Sequence, residues 1–87
     1  MPYIVVRGTL GMSNTKVYGL SSPEAERISS QLRPGPINEA KDELTFYNSA
    51  VFVMNQLEYF FGYRVISCAC QGDAAQPVWT MVKPRNY

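Results

Sequence analysis

With no histidine among the 87 residues, acid–base work in this chain would fall to its carboxylates, and nucleophilic work to two thiols. That absence excludes Ser-His-Asp triads and imidazole general bases. The carboxylates are Glu24, Glu26, Glu39, Asp42, Glu43, Glu58 and Asp73. The first five fall in helix caps, exposed helix faces or loops. Glu58 lies on the flank of an apolar helix stripe, and Asp73 in a hairpin turn. Each is expected to be solvated or capping rather than catalytic. Whether two of them converge in three dimensions stays open. Cys68 and Cys70 stand two apart in a strand, so they share a face, and a bridge between them would strain the pleat. They are expected to be reduced. Without histidine a tetrahedral zinc site would need carboxylates to complete it, so no metal or cofactor is expected. Gly8 and Gly11 flank no Lys-Ser/Thr pair, which removes a phosphate loop.

The aromatic residues crowd the second half: Phe46, Tyr47, Phe52, Tyr59, Phe60, Phe61, Tyr63 and Trp79. An RNA-binding sheet would show such rings on an open face with basic neighbours. The flanks here are acidic or neutral, so the rings are expected in a core or an interface. Net charge is +1, and the basic residues are scattered from Arg7 to Arg85. No nucleic-acid partner follows from that distribution. No stretch approaches the ~20 apolar residues of a membrane span. The opening Met-Pro-Tyr-Ile-Val-Val-Arg lacks the basic region of a signal peptide. The expected home is the cytoplasm, with the nucleus as a second compartment.

These residues need elements to position them. Residues 3–10 alternate as a strand, with Ile4, Val6 and Leu10 on one face and Tyr3, Val5, Arg7 and Thr9 on the other. Thr15 to Tyr18 form a short second strand after a turn. Ser22-Pro23-Glu24 reads as a helix start, with Ser22 as the cap. Ala25, Ile28 and Leu32 follow at helical spacing. Arg33 to Asp42 contains Pro34-Gly35-Pro36 and is expected to be a loop. Leu44 to Tyr47 is the next strand. Asn48-Ser49 caps a second helix with Ala50, Val53, Met54, Leu57 and Phe61 on one stripe. Gly62 suits the left-handed position past its end. Strand Tyr63–Cys70, a turn, and strand Val78–Val82 complete the order β-β-α-β-α-β-β. The fold class is therefore α+β, an antiparallel sheet with two helices on it.

Length and composition fit one domain over residues 1–87, at 46% hydrophobic and 17% charged. A core this small supplies about 3–5 kcal/mol, and oligomer contacts are a common supplement. The second helix is apolar nearly all round. One sheet buries one stripe, so Val51, Phe52, Tyr59 and Phe60 are expected to meet a second partner. Trp79 is expected to be mostly buried.

Taken together, the chain resembles the GTP cyclohydrolase I feedback regulatory protein family. It opens Met1-Pro2-Tyr3 and runs an apolar strand to Leu10 and Met12. Pro23-Glu24 begins the first helix, and Phe46-Tyr47 and Asn48 precede the second. Leu57-Glu58, Gly62, an aromatic, Arg64-Val65, Ser67, a glycine-containing turn and Val78-Trp79 then follow in the family's order. It departs in three places: one extra residue between Leu57 and Gly62, about two more in the last hairpin turn, and the extension Pro84–Tyr87.

The resemblance implies a non-enzymatic regulator. Family members form a homopentameric ring, and two rings cap the decameric GTP cyclohydrolase I. Phenylalanine favours the stimulated complex and tetrahydrobiopterin the inhibited one. Phenylalanine binds at the interface between regulator and enzyme, and the matching positions here are Leu10, Met12 and Gln76. Two other classes stay open beside it. One is a stand-alone amino-acid sensing module. The other is a small enzyme working through carboxylates or through Cys68 and Cys70.

Overall fold

The fold is seen in a computed structural model, which describes residues 3–8, 13–71 and 76–83. Strand β1 is Tyr3–Gly8 and β2 is Thr15–Tyr18. Helix α1 is Ser22–Ser29, followed by β3, Pro34–Asn38. A 3₁₀ turn, Glu39–Lys41, leads into β4, Glu43–Phe46. Helix α2 is Ala50–Phe61, and β5, Arg64–Gln71, and β6, Gln76–Val82, complete the described elements. The six strands form one antiparallel sheet in the order β3-β4-β2-β1-β6-β5. The class is α+β, as the hydropathy pattern predicts.

The alternation in β1 decides which face meets the helices. Ile4 and Val6 are fully buried. Their cross-strand partners Met81 and Trp79 on β6, and Val17 on β2, share that face. Ile28 of α1 and Ala50, Val53 and Leu57 of α2 close the core from above. The opposite face carries Arg7, Lys16, Tyr18, Glu43 and Thr80, all in register across four strands. Among the described residues no helix covers it. Trp79 keeps 9% of its surface exposed, so its expected burial holds.

Three local readings are corrected. The segment expected as a loop holds strand β3. Its prolines are tolerated because β3 is the edge of the sheet, where a missing N–H faces no neighbour, and its pairing slips between Pro34 and Ile37. The cap of α1 is Ser21, not Ser22: the Ser21 hydroxyl accepts from the Glu24 amide at 3.4 Å. Proline still occupies the first turn, whose orphan amides make it the one tolerant place in a helix. Phe60, expected on the unpartnered side of α2, is half-buried, because it packs against the core, with the Arg27 guanidinium of α1 5.7 Å from its ring centre.

The second helix otherwise follows its sequence. Ser49 caps it, accepting from the Phe52 amide at 3.2 Å. Gly62 ends it at φ +80°, where a side chain would strain the backbone. Val51, Phe52 and Tyr59 remain 45%, 42% and 80% exposed, so the helix carries an apolar side that the sheet does not bury.

Candidate functional site

Leu10 and Met12 lie outside the described residues. Gln76 is the first residue of β6 and pairs with Gln71. The described strands still place the ends that flank these positions. Gly8, at the end of β1, pairs with Thr15, at the start of β2. Arg7 pairs with Val78 near the start of β6. The exit of β1, the entry of β2 and the entry of β6 thus share one end of the sheet. The N-terminus of α2 comes to the same end. A Cβ on Gly8 would approach Thr15 Oγ1 to 3.2 Å and the Ala50 methyl to 3.5 Å. The bare backbone at Gly8 is what lets helix and strand ends meet here.

A web of hydrogen bonds fixes this end. Thr15, fully buried, donates its hydroxyl to the Asn48 carbonyl at 2.7 Å. The Asn48 side-chain oxygen accepts from the Arg33 amide at 2.8 Å. The Arg33 carbonyl in turn accepts from the Tyr47 amide at 2.7 Å. The sequence assigns Asn48 and Ser49 together to capping. The structure divides the work: Ser49 caps α2, and Asn48 clasps the start of β3. Beside them is a shallow cavity of about 320 Å³, lined by Ser13, Arg33, Tyr47, Asn48, Ser49 and Phe52. Arg33 offers a guanidinium, and Tyr47 and Phe52 are half-exposed rings. A cation beside two rings suits a small ligand with a carboxylate and an apolar side chain. Sequence reasoning missed Arg33, Tyr47 and Phe52 as lining residues. Only the fold brings 33 and 47 to residue 13.

Two carboxylates have roles that the sequence does not assign. Glu24 is a tie rather than a simple cap. Its Oε1 accepts from the Tyr63 hydroxyl at 3.0 Å and from Ser21 at 3.2 Å, and its Oε2 from Lys83 Nζ at 2.5 Å. Burial alone would raise its pKa, but Lys83, Tyr63 and Ser21 outweigh that and hold the carboxyl below its ordinary value. Burial first, then Glu24 itself, push the Tyr63 hydroxyl well above the usual tyrosine value. Glu43 belongs to β4, not to a loop. It accepts from the Tyr18 hydroxyl at 2.6 Å and lies 3.5 Å from Lys16 Nζ. Burial, then Glu43, raise the Tyr18 hydroxyl in the same way. The two networks belong to different faces of the sheet, so these acids do not form a catalytic pair.

Lys16 and Glu43 also border the larger cleft, about 620 Å³, which runs past Asn14, Asn38 and Tyr47. Both signs of charge meet there in an open, polar groove. Cys68 is an exposed free thiol. Among the described residues no three His, Cys, Asp or Glu side chains gather as metal ligands, and no helix is long and apolar enough to cross a membrane. No known family, curated protein or solved structure matches the chain.

Proposed function

We propose that this chain is a non-enzymatic regulator that binds GTP cyclohydrolase I. In this reading it mediates stimulation of that enzyme by phenylalanine and inhibition by tetrahydrobiopterin, and works as a homopentameric ring. The observation that carries the reading is the ordered pattern of residues from Met1-Pro2-Tyr3 to Val78-Trp79, which spans nearly the whole chain. The exposed Val51, Phe52 and Tyr59 of α2 support assembly, since they are apolar side chains that the sheet does not bury. Leu10, Met12 and Gln76 are the proposed phenylalanine contacts. Met12 would line the pocket by shape, and Gln76 would hydrogen-bond the polar end of the amino acid.

The mechanism needs no chemistry from the regulator. A ligand held between two proteins stabilises whichever assembly completes its pocket, by its differential affinity for the two states. Co-sedimentation with a cyclohydrolase I decamer, with and without phenylalanine, tests the partner. Cyclohydrolase activity at limiting GTP, titrated with phenylalanine, tests the effect. Met12→Ala and Gln76→Ala are expected to blunt the response without disturbing fold or ring. No effect of the wild-type protein on a cognate cyclohydrolase would remove the function.

A stand-alone amino-acid sensor is the second reading, favoured by the cavity that Arg33 shares with the half-exposed rings of Tyr47 and Phe52. It predicts tight amino-acid binding by the isolated protein, whereas the regulator needs its enzyme. Calorimetry with phenylalanine on the protein alone separates them.

A further inference from the structure

The two edges of the sheet are built differently. At one edge, β3 carries Pro34 and Pro36, and its ladder slips before Ile37. Proline has no N–H to offer and a slip bends the strand, so this edge refuses another strand. At the other edge, β5 has eight residues, no proline, and no charge after Arg64. Arg64 to Ala69 are exposed, Val65 by 46% and Ile66 by 53%. Among the described residues no strand pairs with its outer side. Its one irregularity, a slip between Val65 and Ser67, leaves a regular ladder from Ser67 to Gln71.

We propose that β5 is a docking edge for a second copy of this chain, with two β5 strands paired antiparallel about a two-fold axis. The contrast between the edges selects how two copies pair. Head-to-tail pairing would set β3 of one copy on β5 of the next, and β3 refuses it. Pairing between copies is therefore β5 on β5, which closes as a pair and does not run on into a fibre. Self-pairing brings no like charges together, because antiparallel strands hold the two Arg64 side chains at opposite ends.

The faces narrow the register. Keeping the helices of both copies on one side of the joined sheet requires paired residues to share a face. Any two-fold centred on a residue of β5 meets that condition; we place it on Cys68, which sets Ser67 opposite the partner's Ala69. Ser67 and Ala69 both lie on the polar face, in register with Thr80 and Val78. Cys68 then meets its own copy at a Cα separation of about 4.5–5.5 Å. That lies within the range a disulfide spans. Nothing in this seam requires the regulator function, and it uses a surface separate from the apolar side of α2.

The test uses Cys68 as its own reporter. Cys70→Ser protein, at low micromolar concentration, is treated with diamide. Diamide takes two electrons and two protons from a pair of thiols, leaving an S–S bond and the reduced hydrazine. A covalent dimer, split again by dithiothreitol, is expected. Adding Ser67→Lys and Ala69→Lys sets lysines opposite one another twice, and the yield should fall about tenfold. Native mass of the wild type should be an even number of copies, halved in the lysine variant. If the ring also forms, these are two rings and one, so failure of the seam and failure of the ring are told apart. Far-UV circular dichroism checks that the lysine variant is folded; the diamide result on the Cys70→Ser protein stands without it. No cross-link, or a yield and mass indifferent to the lysines, overturns the proposal. So does an edge that stays single in the pure protein while accepting an added peptide strand.

Discussion

Helices α1 and α2 lie on the same sheet and both reach the same core, yet they are tied down by opposite means. α1 sinks one fully buried side chain, Ile28, and is otherwise polar. It is held by the Glu24 tie to Tyr63 and Lys83, and by Arg27 over Phe60 and Phe61. α2 sinks Ala50, Val53 and Leu57 and makes no ion pair among the described residues, and its Val51, Phe52 and Tyr59 stay exposed. α1 is a helix finished by polar contacts. α2 is finished in the core and unfinished at the surface. A small domain can therefore gain its stability from one helix face and leave another face of the same helix for assembly.

The largest test strikes the buried side of α2. Leu57→Ala should cost about 2–5 kcal/mol, read from the shift in denaturant midpoint, because it empties a fully buried site. An unchanged midpoint would mean that α2 is not the helix that anchors the core. Tyr63→Phe strikes the tie of α1 next. It removes one donor from a mostly buried carboxylate and should cost about 1–3 kcal/mol.

The same tie has a pH signature. The folded Glu24 pKa is lowered, so its contribution is present above the unfolded value of 4.5 and is lost as pH falls through the folded value. The folded Tyr63 pKa is raised, so its contribution is present below 10.0 and is lost as pH rises through the folded value. Stability measured against pH should therefore fall off on the acid side below about 4.5, and Glu24→Gln should flatten that limb. An unflattened acid limb would show that α1 is held by something else.

Ser49→Ala sharpens the comparison at lower cost. It removes the hydroxyl that caps α2 and should lose about 1 kcal/mol. The smallest expected effect is at the outer side of α2. Val51→Ser with Tyr59→Ser should change the stability of the folded subunit by less than about 0.5 kcal/mol. The same pair should lower the assembled mass. A large loss of subunit stability instead would place those side chains in the core of a single chain.

Much of this architecture is legible in residue order because it is local. Alternation in β1, the Ser49 and Gly62 signals of α2, and the surplus apolar residues of α2 are all set by near neighbours. What escapes the sequence is set across distance. Pro34 and Pro36 read as breakers because nothing local says that the strand will be an edge. Ser21 and Ser22 are equivalent in the chain, and only the helix geometry chooses between them. Glu24 reads as an acid in the first turn of α1, and is one, but Tyr63 and Lys83 reach it from 39 and 59 residues away. The slip between Val65 and Ser67 changes which side of β5 each later residue faces, and a strict period of two cannot show it. Leu10 and Met12 fall outside the described residues, and the lining of the cavity beside α2 comes from residues far apart in the chain.

The sheet order has a consequence for synthesis. β1 and β6 are neighbours in the middle of the sheet, although β6 begins at Gln76. A nascent chain can pair β1 with β2 early, but the other side of β1 waits for β6. At about 5–20 residues per second, that flank stays bare for roughly 3–14 s. During that interval Ile4 and Val6 lack their neighbours Met81 and Trp79, and the half-built sheet is a target for chaperones. The domain is therefore completed only once its C-terminal strand is free, and a ribosome stalled in the final hairpin would hold it open.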